Sequence, residues 1–311
     1  MTISSNILSN IGHTPLIQLR KIVPSGSAKI VVKLEGANPT GSMKDRMAMA
    51  MIDAAEAEGK LKAGGEVVEF TGGSTGTSLA MVCAVKGYPL SIVTSNATSL
   101  EKRTHMKALG AKMTVLHSEG AKLNIELYNA LVTTTEKIIK ETAAFWTDQF
   151  HNKNQANGYY ALGEELWSQS GGRVDAFVHV VGTCGSLRGV ATSLRKENPQ
   201  LRVVAIEPAE SPVLSGGRAG SHRIEGVGIG LLPALWDKSL ADSIEKVSTA
   251  EAEEMARRLA KKEGIFVGTS SGANVVAALR VAAELGPDAI VATIMVDNGL
   301  KYLSTNVFEN G

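Results

Sequence analysis

The sequence is sparing with the residues that mark most specialised classes of protein. Its 311 residues include two cysteines, Cys83 and Cys184. Two are too few for a disulfide framework, and their spacing fits no metal motif. The six histidines (His13, His105, His117, His151, His179 and His222) never fall three or four residues apart. No local metal motif is present, and no metal is expected. Nine prolines and no low-complexity tract point to a largely ordered chain. Lys and Arg number 32 against 31 acidic residues, a net charge of +1. That balance gives no electrostatic footprint for nucleic acid or an anionic membrane. No apolar run is long enough to span a bilayer. The opening Met-Thr-Ile-Ser-Ser-Asn-Ile-Leu lacks a basic region followed by an apolar core, so no signal peptide is expected and the location is read as cytoplasmic.

What is present is alternation. Short β-branched runs at Lys29–Leu34, Glu66–Phe70, Leu90–Thr94, Lys112–Leu116, Ala176–Val181, Arg202–Ile206 and Ala289–Met295 read as strands. Between them lie helical patterns at Asp45–Glu58, Thr75–Lys86, Ser99–Leu109, Ala156–Ser168, Ser186–Glu197, Ala250–Lys262 and Gly272–Leu285. A further helical stretch, Ala121–Glu141, joins two strand–helix series. The pattern is α/β with parallel sheets, and the apolar strands imply helices on both faces. No Pro/Gly/Ser linker divides the chain. A two-domain α/β body with its site between the domains is expected, because open sheets bind ligands at the carboxyl ends of their strands.

The segment Asn38-Pro39-Thr40-Gly41-Ser42-Met43-Lys44-Asp45-Arg46 carries most of the chemical information. Ser42 with Asp45 forms a Ser-x-x-Asp capping pattern, so a helix is expected to begin here. Asp45 suits the positive end of the helix dipole, whereas the ammonium of Lys44 is disfavoured there, which lowers its pKa. A lysine held nearer neutrality is a nucleophile for an aldehyde such as that of pyridoxal phosphate. The alternative is a solvated lysine in a first helical turn.

Two glycine-rich loops follow strands and open helices. They are Thr71-Gly72-Gly73-Ser74-Thr75-Gly76 and Gly182-Thr183-Cys184-Gly185-Ser186. Free N–H groups and the helix dipole favour an anion at such loops, and the hydroxyls add donors. With Lys44 they suggest a cofactor phosphate and a substrate carboxylate. The alternative is two ordinary tight connections. For the second loop, Gly182, Gly185 and Gly189 with Glu207 could also form a degenerate dinucleotide fingerprint, although the spacing is not G-x-G-x-x-G.

Taken together, these segments resemble the cysteine synthase (O-acetylserine sulfhydrylase) and cystathionine β-synthase family of fold type II pyridoxal-phosphate enzymes. The matches run in order along nearly the whole chain. They include Ile11-Gly12-His13-Thr14-Pro15-Leu16, Lys33-Leu34-Glu35 and the Ser42–Arg46 block, then both glycine loops and Asp148-Gln149-Phe150. Later come Glu207-Pro208, Val213–Gly217, Gly226–Gly230 with Pro233, Glu263–Phe266, Ser270–Ala273 and Tyr302–Thr305. The resemblance implies two domains with twisted, mostly parallel sheets flanked by helices, like the tryptophan synthase β chain. Residues 44–150 would form the smaller and 1–43 with 151–311 the larger cofactor domain. It implies that Lys44 bonds covalently to pyridoxal 5'-phosphate and later moves the substrate's α-proton. Gly182, Thr183, Cys184, Gly185 and Ser186 would hold the cofactor phosphate. Thr71, Gly72, Gly73 and Thr75 would hold the substrate carboxylate, with Gln149 as a further ligand. Gly228 would lie in a loop flanking the active-site mouth. A homodimer is expected, with serine acetyltransferase as a possible partner. The chain stops soon after Thr305, and neither an appended regulatory domain nor haem is expected.

Departures from the family pattern fall inside the site. Ser74 stands where an asparagine usually bonds the cofactor's ring oxygen, and its hydroxyl is shorter. Gly72 replaces a serine, which removes a carboxylate donor and enlarges the pocket. Cys184 replaces a glycine and is read as a packing residue. Asp297 occupies the region of a serine near the pyridine nitrogen, where a carboxylate would tend to protonate that nitrogen. The alternative is that Asp297 faces solvent and Asn298 or water takes the role. The reaction expected is β-replacement on O-acetylserine by sulfide, giving cysteine. The alternatives are O-phosphoserine as donor, met by Arg218, His222 and Arg223 unless these form an ordinary solvated basic turn, a non-sulfide nucleophile, a serine dehydratase, or a binding protein without turnover.

Overall fold

A computed structural model describes residues 3–118, 125–228 and 230–309. The chain opens with β1 (Leu16–Gln18) and β2 (Lys29–Leu34), then α1 (Lys44–Ala57). There follow β3 (Val67–Phe70), α2 (Ser74–Lys86), β4 (Leu90–Ser95), α3 (Leu100–Ala108), β5 (Lys112–Leu116), α4 (Ile125–Thr142) and β6 (Phe145–Trp146). The second half runs α5 (Tyr160–Gln169), β7 (Ala176–Val180), α6 (Gly185–Glu197), β8 (Arg202–Pro208), β9 (Ser243–Val247), α7 (Thr249–Arg258), α8 (Thr269–Leu285) and β10 (Ile290–Met295).

Two sheets result. A six-stranded sheet has the order β1-β2-β10-β7-β8-β9, and a four-stranded sheet the order β5-β4-β3-β6. Every pairing is parallel except β1 against β2. Residues of β3, β4 and β7 are buried throughout, as helix-covered parallel strands should be. The outer strands β1, β5 and β9 are more open. Those strands are less continuously apolar, and β1, β6 and β9 gave no strand signal in the sequence.

Helix ends follow local chemistry. Ser248 and Glu251 make a reciprocal capping box that starts α7. Gly87, in the left-handed conformation, closes α2. The expected helix over Ala156–Ser168 is instead a 3-10 turn, Lys153–Tyr159, running into α5. Residues 121–124 of the expected Ala121–Glu141 helix lie outside the described residues. Among those described, no helix is long and apolar enough to cross a membrane.

The capping box expected at Ser42 and Asp45 does not form. The α1 helix starts at Lys44 with no side-chain cap of that kind. Asp45 turns away because better donors surround it: its carboxylate accepts from the Thr40 N–H at 2.8 Å, the Ser78 hydroxyl at 2.6 Å and the Thr40 hydroxyl. Ser42 Oγ accepts instead from the Lys44 N–H, at 3.3 Å.

Candidate active site

The carboxyl end of β10 holds the start of α1. Met43 N–H donates to Val296 O and Asn298 N–H to Gly41 O, each at 2.9 Å. Behind α1, Arg46 grips Glu35 at 2.8 and 2.9 Å and Glu165 at the same two distances. Lys44 is thereby placed at the head of the helix, half-buried. Among the described residues its Nζ has no hydrogen bond or ion pair. Burial pulls its pKa down to about 8, with Lys301 adding to the effect and Asp297 opposing it. The direction matches the sequence argument, but the main cause is desolvation rather than the helix dipole.

The loop between β3 and α2 brings Thr71, Gly72, Gly73, Ser74 and Thr75 together. Thr71 Oγ1 accepts from the Gly73 N–H at 3.1 Å. Thr75 Oγ1 donates to Gln149 Oε1 at 2.7 Å, and Gln149 Nε2 donates to Phe70 O at 3.0 Å. Gln149 therefore joins this loop. Gly72 is exposed, and a Cβ there would meet nothing within 4 Å.

The loop from Gly182 to Ser186 lies at the N-terminus of α6, where the first helical N–H groups have no partner within the helix. It leaves no room for larger residues at Gly182 or Gly185. A Cβ at the first would sit 2.5 Å from Gly226 O, and at the second 2.5 Å from Gln155 Oε1. Thr183 Oγ1 donates to the same Gln155 oxygen. Cys184 holds a left-handed φ of 71°, a conformation that suits the glycine usual there. Burial pushes its thiol up to about 12, so it stays protonated and serves packing. Gly228 N–H donates to Val181 O at 3.4 Å, which sets the loop expected to flank the mouth beside the Gly182–Ser186 turn. Ile229 of that loop lies outside the described residues.

Asp297 follows β10 and is 3% exposed, so it does not face solvent. Its Oδ2 accepts from Ser74 Oγ at 3.2 Å and from the Tyr302 hydroxyl at 2.8 Å. Its Oδ1 is buried without a partner. Asn298 is occupied elsewhere: its side chain accepts from the Leu300 N–H at 2.8 Å, capping a 3-10 turn. The basic trio does not converge. Arg218 is exposed, Arg223 pairs with Glu253 at 2.9 Å, and His222 Nε2 lies 2.8 Å from Gly228 O.

A lysine without a partner, two helix-opening glycine loops and an orphaned carboxylate oxygen thus gather at the strand ends. The family model for the pyridoxal-phosphate dependent enzyme matches residues 7–297. The chain belongs to this family. Fold type II relatives cover it almost end to end. A cysteine synthase of Staphylococcus aureus is 43% identical over 306 residues, 98% of this chain and 97% of that protein. The crystal structure of a cysteine synthase from Entamoeba histolytica matches with a TM-score of 0.93 at 34% identity, covering 99% of this chain and 91% of that one. An O-acetylserine dependent cystathionine beta-synthase from Helicobacter pylori matches with a TM-score of 0.90 at 32% identity, covering 99% and 100%.

The residues of this pyridoxal-phosphate dependent enzyme fit its cofactor. Lys44 offers a free amine, the cramped loop from Gly182 to Ser186 could take a phosphate, and Asp297 Oδ1 could accept a hydrogen bond from a ring N–H. Sequence reasoning missed several neighbours. Lys102 pairs with Glu225 at 2.5 Å and lies 4.4 Å over the Tyr302 ring. Its Cδ would lie 2.5 Å from a Cβ at Gly73, so it ties the first glycine loop to the mouth loop. Lys301 is buried with an unpartnered Nζ. His179 stands on β7 with its ring 2.9 Å from Ser186 Oγ. A histidine inside the apolar run Ala176–Val181 was the available signal for that last residue.

Proposed function

We propose that the protein catalyses β-replacement on O-acetylserine by sulfide, giving cysteine and acetate. The observation that carries this reading is Lys44, free of partners and lowered to about 8, between two loops built for anions. Support also comes from the relatives named cysteine synthase.

In this reading Lys44 would hold the cofactor covalently until the substrate's amine takes its place, and the freed Nζ would then take the substrate's α-proton. Bound pyridoxal phosphate draws electron density from the α-carbon. Gly182, Thr183, Cys184, Gly185 and Ser186 would hold the phosphate, Ser74 would serve the ring oxygen and Asp297 the ring nitrogen. Thr71, Gly72, Gly73, Thr75 and Gln149 orient the carboxylate so that the α-hydrogen points at Lys44. The β-carbon–oxygen bond breaks, its electron pair leaving with acetate. Sulfide then bonds to the β-carbon, Lys44 returns the proton to the α-carbon, and its Nζ would displace the product's amine to restore the starting state. Gly228 flanks the entrance. Residues 44–150 are read as the smaller domain and 1–43 with 151–311 as the larger. A cytoplasmic homodimer that docks a serine acetyltransferase completes the proposal.

One observation favours a second nucleophile. The open space at Gly72 leaves room for a thiol larger than sulfide, and the Helicobacter pylori relative is an O-acetylserine dependent cystathionine beta-synthase. Visible absorption of the cofactor-loaded protein separates the cases. O-acetylserine should shift the band and release acetate, and sulfide should restore it with one cysteine per acetate. Restoration by homocysteine but not sulfide would favour the second reading. A response to O-phosphoserine alone would overturn the donor.

A further inference from the structure

Beneath the second glycine loop lies a fully enclosed polar chain that the proposed reaction does not use. Asn274, on α8, is completely buried, as is His179. Asn274 Oδ1 accepts from the Val180 N–H at 2.8 Å, and its Nδ2 donates to Ile294 O at 2.7 Å. One backbone partner is an obligate donor and the other an obligate acceptor. Turning the amide over would oppose donor to donor and acceptor to acceptor, so its orientation is fixed by β7 and β10. The remaining Nδ2 hydrogen faces His179 Nδ1 at 3.2 Å. That ring nitrogen must therefore accept, and the ring proton must sit on Nε2. Nε2 lies 2.9 Å from Ser186 Oγ. The serine oxygen accepts that bond, which leaves its own hydrogen for another acceptor.

We infer that His179 is a positioning residue, held in one tautomer by Asn274, that turns the Ser186 hydroxyl into a hydrogen-bond donor toward the cofactor phosphate. The inference rests on this loop being the phosphate site. The opposite tautomer would set two donors against each other at Asn274. It would also spend the Ser186 hydrogen on the ring and turn lone pairs toward an anion. Burial and the nearby Lys44 push His179 down to about 3, so the ring is neutral and the tautomer is the only variable. The sheet backbone thus sets the polarity of a hydroxyl two side chains away.

Nitrogen-15 NMR of the histidine-labelled holoenzyme tests this without mutation. The expected spectrum shows His179 with a protonated Nε2 and a bare Nδ1. A protonated Nδ1 would overturn the proposal. Affinities of the cofactor-free protein for pyridoxal phosphate and phosphate-free pyridoxal form the second arm. Ser186→Ala and His179→Leu should each weaken the phosphorylated ligand about tenfold, leave pyridoxal unchanged, and together cost no more than either alone. Additive losses, or equal losses for both ligands, would remove His179 from the relay. A wild-type protein that binds both ligands equally would instead sink the phosphate reading itself. Should His179→Leu fail to fold, the tautomer measurement decides alone.

Discussion

Two side chains at the head of α1, two residues apart, use charge in opposite ways. Arg46 is saturated: Glu35 and Glu165 meet its guanidinium, while Thr14 and Asn38 bond Glu35 in turn at 2.6 and 2.8 Å. Lys33 reaches Glu165 at 2.7 Å as well. Burial works against the Glu165 carboxylate, but hydrogen bonds and charge from Arg46 and Lys33 hold it down to about 2. Among the described residues Lys44 has no counter-charge in contact, and it is lowered to about 8. A buried charge without its partner is costly, so full pairing at Arg46 fixes geometry, while incomplete pairing at Lys44 keeps an amine available. The helix is anchored by one residue so that its neighbour can stay reactive.

Removing the reactive member should have the largest effect on turnover. Lys44→Ala is expected to lower kcat by about a thousandfold or more, because covalent attachment and proton transfer are both lost. The melting temperature of the cofactor-free protein should not fall, since no native bond to Nζ is broken. A variant retaining about a tenth of wild-type activity would end the role given to Lys44.

Arg46→Met should show the reverse pattern. Fully buried Glu35 would lose its cation while Glu165 keeps Lys33, and stability should fall by about 3–5 kcal/mol. Urea unfolding of the cofactor-free protein measures this directly. A loss below about 1 kcal/mol would mean that the cluster is not what anchors α1.

The contrast also sets a pH dependence. Only the neutral amine attacks the cofactor's aldehyde, so capture of pyridoxal phosphate by the cofactor-free protein should quicken as pH rises. It should climb about tenfold per unit below the lowered pKa and level off above about 8. A profile still climbing towards 10 would show Lys44 titrating as an ordinary solvated lysine.

The Lys44 segment and both glycine loops were legible because their chemistry is local, whereas Gln149 came only from the family resemblance, its partner Thr75 lying 74 residues away. A strand, a glycine turn and a helix start are contiguous, and a lysine beside them stands out. Parallel α/β organisation was legible from alternation, whereas β1, β6 and β9 were not, being short strands at sheet edges. The capping pattern misled because Asp45 found Thr40 and Ser78, and Ser78 lies 33 residues away on α2. Asn274, Lys102 and Glu225 escaped for the same reason, since each acquires its meaning from a partner distant in sequence. Asp297 could be suspected, but only packing shows it buried against Ser74 and Tyr302.

The smallest expected change falls on the open side of the cleft. Gly72 is free of the left-handed backbone that constrains Gly73, and an added Cβ meets nothing within 4 Å. Gly72→Ser therefore costs little to fold. If the first glycine loop holds the substrate carboxylate, the new hydroxyl adds one donor to an anion. That gain is worth about 1 kcal/mol, a fewfold decrease in KM for O-acetylserine with kcat nearly unchanged, because the bond forms equally in ground and transition states. Steady-state kinetics with sulfide in excess measure it. A rise in KM would instead mean that substrate fills the space at Gly72, and the open side of the cleft would then be set by the size of the amino acid rather than by its charge.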